Sequence, residues 1–553
     1  MLDHLADRLG LSAIPTVFFV SAGLAIAFVA FAIPFDAPVA AFFGALTGIT
    51  VEYFGWFYVL SVTGLLGFLF WVALSRYGAI RLGPDGAGPE YPTVTWFAML
   101  FAAGIGTILM FWGVAEPMSH FADPPLQGVA GGTPEAAELA MTVALYHFGL
   151  HTWTIFTLPA LAIGYFAYRQ GLPMRISSIF YTVLGRRVFG PWGWAIDIVA
   201  VLGTLFGVAV SVGLGTLQLN SGLHYLFGLP VGELSQTLIV VVITVVATVS
   251  VALGLDRGIK RLSEFNIAIA LAILLFVWLT GPTLFLTAGT VQNFGEYLDA
   301  LPWLAFWTET YQGTDWQRSW TVFYWAWTIS WAPYVGIFIA RISKGRTIRQ
   351  FVLGALGAPL AFTVVWFSIF GLAAVDLELN GPGGLAEQVQ ADVSVALFSF
   401  LEQFPLAAVT STASVVIIVV FLTTSADSAA LVIDLLSRRD DQVSRMGQRI
   451  FWTLLLGAIA ATLLLAGGLD ALQNVITTLG FPFCVLLVFM AVALTRALHA
   501  DYLGYTLDDL VAGRPPAIAP LAGETTDAIE DGPPHRPETS EVIEDGPPHR
   551  RRS

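Results

Sequence analysis

Long apolar segments recur along the whole chain and constrain its fold more than any other feature. About twelve of them reach the roughly 20 residues that an α-helix needs to cross the hydrocarbon layer of a bilayer. They lie near residues 13–34, 55–76, 92–117, 139–168, 190–218, 235–255, 263–290, 318–341, 350–374, 405–436, 448–468 and 473–498. Of the 553 residues, 56% are hydrophobic and only 12% are charged. The sequence therefore predicts an all-α integral membrane protein with twelve transmembrane helices.

Basic residues follow the even-numbered spans, whereas acidic residues follow spans three and nine. Arg169 and Arg175 come after span four, for example, and Arg341 and Lys344 come after span eight. Because loops rich in Lys and Arg stay on the cytoplasmic side, a multi-pass protein of the plasma (inner) membrane with both termini cytoplasmic is predicted. The net charge of −14 suits the surface of a halophile's protein. A genomic base composition that favours Arg over Lys is the alternative explanation for the few lysines.

The end of the chain has a different composition from the rest. From about Gly513 it is rich in Pro, Glu and Asp, which is typical of disordered segments. It contains the segment IEDGPPHR twice, at Ile529–Arg536 and at Ile543–Arg550. We interpret it as a solvated tail with a duplicated segment. A regulatory contact between Arg550–Arg552 and lipid headgroups is the alternative.

Span eight carries aromatic residues well inside the membrane. It reads WTVFYWAWTISWAPYVGIFIARI from Trp320, whereas membrane helices usually place Trp at their two ends. Phe323, Trp327 and Trp331 recur at i, i+4 and i+8 and therefore share one helical face. Stacked aromatic rings attract a cation through their quadrupoles. This face predicts a protein that binds an organic cation or a zwitterion.

Span three contains residues that weaken a helix in the middle of the membrane. Gly104, Gly106 and Thr107 occur together, and glycine allows a kink that exposes backbone carbonyls to a ligand or an ion. Taken alone, these residues are interpreted as close helix packing through small side chains, with the kink as the alternative. Glu116 precedes a proline near the outer end of the span and is interpreted as structural.

Span four adds a second aromatic group and two histidines. Phe148, Trp153 and Phe156 fall within an arc of roughly 140° on an ideal helix. His147 and His151 are one turn apart, which is a spacing that can bind a metal, but no third ligand joins them in the sequence. We interpret them as hydrogen-bonded core histidines, with a proton relay as the alternative.

Spans ten and five carry hydroxyl side chains at the depth of the membrane centre. Phe421, Thr424 and Ser425 lie on one face of span ten, where hydroxyl oxygens are suitable ligands for Na⁺. A hydroxyl that bonds to the helix's own backbone is the alternative. Thr204 and Ser211 are seven residues apart and share a face of span five.

These motifs together resemble those of the betaine–choline–carnitine transporter family along nearly the whole membrane region. The residues that carry the resemblance are GIGTILMFWGVAEPMSHF at Gly104–Phe121, GLGTLQLNSGL at Gly213–Leu223, WTVFYWAW and ISWAPYVGIFIARISKGRT within Trp320–Thr347, and TTSADSAA at Thr423–Ala430. The resemblance implies two inverted five-helix repeats after two extra N-terminal helices. It also implies alternating access and a homotrimer.

On this basis the chain divides into five parts. They are the N-terminal cytoplasmic end with helices one and two (1–90), the first inverted repeat (91–280), an outer amphipathic connection (281–317), the second inverted repeat (318–500) and an acidic, Pro-rich cytoplasmic tail that is disordered at its end (501–553).

The resemblance also implies a substrate site formed by spans three, four and eight. Its residues are Gly104, Gly106, Ile108, Phe148, Trp153, Phe156, Phe323, Trp325, Trp327, Thr328 and Trp331. Compared with betaine carriers, Phe148 and Phe156 replace Trp and Tyr, and Thr328 replaces a second consecutive Trp. The cation–π attraction weakens from Trp to Phe, while Thr328 adds a hydrogen-bonding hydroxyl. Choline, carnitine, ectoine, taurine and a sulfonium zwitterion therefore stand as alternatives to betaine.

The coupling ion is the second implication of the resemblance. The family's main sodium site carries over onto Ala102, Ile105, Phe421, Thr424 and Ser425, and a second site falls on Thr204 and Ser211. One family threonine of the second site is Val208 here, which favours a single sodium ion. Ile108 stands where proton-coupled choline carriers have Asp. In the family's sodium-independent exchangers a basic side chain takes the place of the ion. Span five of this chain has no Arg or Lys that could do so.

The sequence thus predicts a sodium symporter that imports a small zwitterionic or quaternary-ammonium compatible solute during osmotic stress. Na⁺, membrane lipid and the solute are its expected partners, without a cofactor or nucleic acid. A proton-coupled or exchange carrier is one alternative, and a membrane osmosensor that binds without translocating is another. An enzyme is not expected, because the sequence shows no nucleophile–base pair or metal cluster.

Overall fold

Helices make up nearly all of the computed structural model, which describes residues 2–104, 106–253, 256–439 and 443–514. The predicted sodium ligand Ile105 and both copies of the tail segment, Ile529–Arg536 and Ile543–Arg550, lie outside these residues. Within them, extended pairing is limited to two isolated bridges, Ala13 with Arg438 and Arg81 with Thr347.

Twenty α-helices follow one another along the described chain. The first ten are α1 Leu2–Arg8, α2 Pro15–Ala32, α3 Asp36–Leu74, α4 Thr93–Gly104, α5 Thr107–Ala122, α6 Pro134–Phe148, α7 Leu150–Gly164, α8 Tyr181–Leu184, α9 Pro191–Phe227 and α10 Glu233–Leu253. The others are α11 Asp256–Thr280, α12 Thr283–Leu304, α13 Phe323–Ile342, α14 Ile348–Leu379, α15 Leu385–Ala391, α16 Ala396–Glu402, α17 Ala407–Ser437, α18 Met446–Leu465, α19 Gly468–Tyr502 and α20 Leu507–Ala512.

The predicted fold class is confirmed. Among the described residues, 11 helical segments are long and apolar enough to cross a membrane. The remaining predicted span, 92–117, is present as α4 and α5, two shorter helices that are separated at Gly106. Interruption of span three therefore accounts for the difference between eleven continuous spans and the predicted twelve.

Two span boundaries differ from the prediction. Span two was expected to begin at residue 55, but α3 begins at Asp36 and runs for 39 residues, about 58 Å at 1.5 Å per residue. Span seven was expected to reach residue 290, but α11 ends at Thr280 and α12 starts at Thr283. Pro282 lacks the backbone N–H that a continuous helix needs, so the helix stops before it.

The spans of the two predicted repeats pack directly against each other. The contacting pairs are α7 with α13, α9 with α17, α10 with α18, and α5 with α14. Of the 18 most apolar consecutive residues in α9, 83% are buried, whereas only 28% are buried in the corresponding stretches of α10 and α11. In the spans that contain α7 and α13 these shares are 94% and 83%, so α7, α9 and α13 form the centre, while α10 and α11 face outward.

Glycines let α13 approach its neighbours closely. A Cβ atom added to Gly207 of α9 would lie 3.0 Å from Trp331 Cδ1, and one on Gly480 of α19 would lie 2.7 Å from the carbonyl oxygen of Ala326. Real Cβ atoms do not occupy such positions without displacing the neighbour. These glycines fix the distance between α13 and its two neighbouring helices.

The basic loop after span eight contacts the start of span three. Arg346, which follows α13, is 2% exposed. Its guanidinium lies 3.9 Å from the ring centroid of Trp96 in α4 and donates to the carbonyl oxygen of Tyr91 at 2.8 Å. Burial lowers the pKa of this guanidinium, which stays charged because arginine ionises so strongly. The contact clamps the start of span three to the end of span eight.

Replacing this arginine should weaken the clamp measurably. We expect Arg346→Lys to lower the free energy of unfolding by about 1 kcal/mol, because an ammonium cannot stack flat on the indole. Thermal unfolding of the purified protein measures the change. Arg341→Lys is the matched control, since Arg341 is exposed. Equal shifts in the two variants would contradict a special role for Arg346.

Candidate functional site

The aromatic face of α13 is buried against α9. The rings of Phe323 and Trp327 stack at 5.7 Å with an interplanar angle of 16°. The indole Nε1 of Trp327 donates to Ser211 Oγ at 2.9 Å and also lies 3.3 Å from the carbonyl oxygen of Gly207. These bonds hold the Trp327 ring in one orientation, as a ligand-binding surface requires.

The third ring of this face is less enclosed. Trp331 is only partly buried, and its ring contacts that of Tyr334 at 5.4 Å. Its indole nitrogen has no hydrogen-bond partner among the described residues, although buried polar groups usually have one. Thr328, one residue beyond Trp327, is buried. The face therefore ends in a free indole donor that is available to a polar ligand group.

The aromatic group of span four is divided between two helices. Trp153 and Phe156 lie on α7 with their rings 5.6 Å apart, whereas Phe148 is the last residue of α6. Phe148 contacts Tyr324 at 5.0 Å and stacks on Phe367 at 4.7 Å. The single arc that the sequence predicted for one continuous helix is wrong, because the helix is interrupted at Gly149.

The interruption at Gly149 has a clear structural cause. A Cβ atom there would lie 2.8 Å from the hydroxyl oxygen of Tyr297, and that oxygen accepts the backbone N–H of Leu150 at 3.0 Å. The Tyr297 hydroxyl therefore satisfies a free N–H at the start of α7, where a helix lacks internal partners. Only glycine leaves room for this contact from α12.

Trp325 lies on the other side of α13 from the stacked rings. Its ring stacks on His151 at 5.4 Å with an interplanar angle of 9°, and it contacts Tyr146 edge to face at 5.4 Å. Two residues along a helix correspond to a rotation of about 200°, so Trp325 and Trp327 face different neighbours. The structure thus brings Phe323 and Trp327 together and places Trp325 apart from them, against α6 and α7.

The glycines of span three produce a break between two helices. Gly104 ends α4, and Gly106 has an extended backbone with φ −148° and ψ −179° before α5 begins. A Cβ atom on Gly106 would meet no atom of the described residues within 4 Å, so the interpretation as close helix packing does not account for this glycine. Ile108 is partly buried against the core. An extended backbone inside a membrane span leaves peptide groups available to a ligand or an ion.

The hydroxyls predicted to bind sodium lie on α17. Thr424 Oγ donates to the carbonyl oxygen of Val420 at 2.8 Å, with that of Phe421 at 3.2 Å. This bond within the helix uses the hydroxyl hydrogen and leaves a lone pair of the oxygen for a cation. Ser425 is partly buried, and Ala102 lies within α4. The site stays a prediction, since Ile105 is outside the described residues.

The two hydroxyls of span five do not form one ion site. Helix α9 is continuous from Pro191 to Phe227, so Thr204 and Ser211 are about 10.5 Å apart along its axis. That separation exceeds twice the metal–oxygen distance of about 2.4 Å that hard cations such as Ca²⁺ require. Ser211 instead holds Trp327. The hydroxyl of Thr204 has no hydrogen-bond partner among the described residues.

The structure assembles a polar cluster that the sequence analysis missed. Glu116 and His120 of α5 and His147 of α6 place ligand atoms within 4.8 Å of one another. The predicted pair of His147 and His151 is not the group that forms, because His147 joins Glu116 and His120 while His151 is not part of the cluster. Glu116 and His120 are one helical turn apart, and this spacing was a signal in the sequence. The interpretation of His147 as a hydrogen-bonded core histidine is confirmed, since it bonds Glu116 and Thr321.

An interrupted span beside a buried aromatic face, both at the centre of a multi-span helical protein, is the arrangement of a membrane transporter. The family model described as "BCCT, betaine/carnitine/choline family transporter" matches residues 16–503. The chain belongs to this family of transporters, and the predicted membership is confirmed.

Curated relatives cover most of the chain. It is 44% identical over 501 residues to an ectoine/glycine betaine/proline transporter, EctP, of Corynebacterium glutamicum, covering 90% of this chain and 82% of the relative. It is 42% identical to a glycine betaine transporter of Acinetobacter baylyi, covering 81% and 68%. It is 38% identical to a high-affinity choline transport protein of Escherichia coli, covering 88% and 72%. The chain is thus a multi-pass membrane transporter and not an enzyme.

Proposed function

We propose that the chain is a sodium-coupled secondary transporter that imports a small zwitterionic or quaternary-ammonium compatible solute by alternating access. The observation that carries this proposal is the stacked pair Phe323 and Trp327, packed against α9 in the interior of the molecule. The indole of Trp327 is held by Ser211. An aromatic surface that is fixed before the ligand arrives binds a cationic headgroup without first losing side-chain freedom.

The proposed substrate is a betaine-like zwitterion, with glycine betaine and ectoine as the first two candidates. The ring of Phe148 packs against Tyr324 and Phe367. Fewer aromatic rings are therefore available to bind a trimethylammonium group. Thr328 and the free indole donor of Trp331 favour a substrate with hydrogen-bonding groups. Relatives whose names include ectoine and glycine betaine support the same pair.

Sodium is the proposed coupling ion, bound by Thr424 and Ser425 near Phe421 and by backbone carbonyls of Ala102 and Ile105. The break after α4 supports this proposal, because the last carbonyl groups of a helix lack partners within that helix. Ile108 is apolar and offers no carboxylate for a coupled proton. Sodium binding that favours the substrate-binding state would transmit the ion gradient to the solute.

The proposed location is the plasma (inner) membrane with both termini cytoplasmic, in a homotrimer that responds to osmotic stress. Contacts between even-numbered loops support the orientation. Arg169, after span four, forms ion pairs with Asp85, after span two, and with Asp501, at the end of span twelve. The basic loops therefore share one side, which the positive-inside rule assigns to the cytoplasm. The high acidic content suits a halophile, and we propose this source for the chain.

Transport by purified protein in sealed vesicles tests the proposal. With an inward Na⁺ gradient we expect labelled glycine betaine or ectoine to accumulate above its external concentration, and we expect no accumulation when K⁺ replaces Na⁺. Accumulation in sodium-free buffer under a pH gradient would show a proton-coupled carrier instead. Saturable binding without accumulation would show an osmosensor.

A further inference from the structure

Three buried side chains form a compact group beside the aromatic site. Glu116 Oε1 lies 2.6 Å from His147 Nδ1 and 3.4 Å from His120 Nε2. All three residues have 0% exposure. The group joins α5, which belongs to span three, to the end of α6, which belongs to span four. We call it the Glu–His–His cluster.

Two atoms of the Glu–His–His cluster lack a hydrogen bond of normal geometry, although the hydroxyl of Tyr324 lies near the Glu116 carboxylate. Among the described residues, neither Glu116 Oε2 nor His120 Nε2 has a hydrogen-bond partner. The 3.4 Å approach of His120 to Glu116 is thus too poorly aligned to count as a hydrogen bond. Most buried polar atoms in proteins have a hydrogen-bond partner. Two such atoms on neighbouring side chains point to a bound group between them.

We propose that Glu116, His120 and His147 bind a divalent transition-metal ion with the coordination chemistry of Zn²⁺. Two imidazoles and one carboxylate are an established three-ligand set for Zn²⁺, with the fourth position open. Their ligand atoms already lie within 4.8 Å of one another. The ion would bring the two unpartnered atoms into its coordination sphere. It would also neutralise the charge of a carboxylate that lies in the membrane region.

Metal binding through His147 Nδ1 replaces its present hydrogen bond to Glu116 Oε1, while the rest of its surroundings suit a ligand. Its other ring nitrogen, Nε2, lies 2.8 Å from Thr321 Oγ. When Nδ1 binds the metal, Nε2 carries the proton and donates it to this hydroxyl, which is the usual support for a histidine ligand. His120 changes one contact, because its Nδ1 currently accepts from Trp316 at 3.4 Å. Metal binding through Nε2 puts a proton on Nδ1, so this long bond is given up.

The proposed ion has a structural consequence for the transporter. His147 directly precedes Phe148, which ends α6 at the interruption of span four. An ion held by α5 and α6 together would therefore restrain the segment that carries Phe148. This inference does not depend on the identity of the solute or on sodium coupling.

Metal content and metal-dependent stability test the proposal. Purified full-length protein is stripped with a chelator and then exposed to Zn²⁺ or Co²⁺. We expect about one ion per chain after removal of excess metal, a rise in melting temperature with Zn²⁺ concentration, and visible absorption of Co²⁺ typical of four-coordinate nitrogen and oxygen ligands. Glu116→Gln, His120→Gln and His147→Gln should each lose the bound ion and the Co²⁺ absorption.

His151→Gln is the matched control. His151 is equally buried and one turn from His147, but it approaches Thr63 and not Glu116. This variant should keep the full metal content. If folded wild-type protein retains no Zn²⁺ or Co²⁺, or if the three ligand variants bind as much metal as the wild type, the proposal is wrong. The wild-type measurement decides the matter even where a variant fails to fold.

Discussion

Combined replacement of Thr424 and Ser425 by alanine should strongly weaken the sodium dependence of uptake. Both hydroxyl oxygens are proposed to bind the ion, and Thr424 already donates its hydrogen within the helix, which leaves its oxygen to accept the cation. Loss of two oxygen ligands should raise the half-saturating Na⁺ concentration at least about tenfold, which corresponds to about 1.4 kcal/mol. Initial uptake rates measured across a Na⁺ series in vesicles give this quantity.

Two further variants make the sodium experiment specific. Thr423→Ala removes a buried hydroxyl next to Thr424 that points to a different side of α17 and has no hydrogen-bond partner among the described residues. It should leave the Na⁺ dependence unchanged. Thr424→Ser keeps the oxygen and should keep most of the affinity for Na⁺. Wild-type Na⁺ dependence in the double alanine variant would remove these residues from the site.

Trp327→Ala should abolish high-affinity binding of the solute. The change removes the ring that stacks on Phe323 and the indole that bonds Ser211. A cation–π contact with a desolvated cation contributes about 2 kcal/mol or more, so affinity should fall about thirtyfold or further. Isothermal binding measurements with glycine betaine and with ectoine report the loss directly.

Three comparisons separate a binding role of Trp327 from a packing role. Trp327→Phe keeps an aromatic face but loses the bond to Ser211, so its affinity should lie between those of wild type and Trp327→Ala. Ser211→Ala should weaken binding less than Trp327→Ala, because the ring remains. Trp325→Phe changes a ring stacked on His151 across the helix, and it should lower the melting temperature without changing affinity. If Trp325→Phe costs more affinity than Trp327→Ala, the assignment of the binding face is reversed.

Patterns within single segments predicted much of this protein. Hydropathy predicted the spans, whereas the glycines of span three, interpreted as packing residues, instead form the interruption at Gly106. The i, i+4 spacing of Phe323 and Trp327 predicted that their rings share a face, and the structure stacks them. These properties depend on residues within a few turns of one another, so a helix of known period expresses them without information from the rest of the chain.

Such local patterns could not predict contacts between segments that are distant in the sequence. The family resemblance placed Trp325 in the substrate site with Trp327, yet its ring lies across α13 and stacks on His151. The arc of Phe148, Trp153 and Phe156 assumed a continuous helix, and the contact of Tyr297 at Gly149 from another helix broke it. In each case the deciding atom belongs to a segment that is remote in the sequence.

The sequence by itself determined that this chain is a helical membrane protein of one transporter family with an aromatic face on span eight. Only the tertiary structure decided which polar groups meet. Ser211 and Trp327 are separated by 116 positions, and Glu116 and His147 by 31. Helix packing brings such pairs together, and a hydrogen bond or a metal site depends on distances of about 2–3 Å that no local pattern specifies.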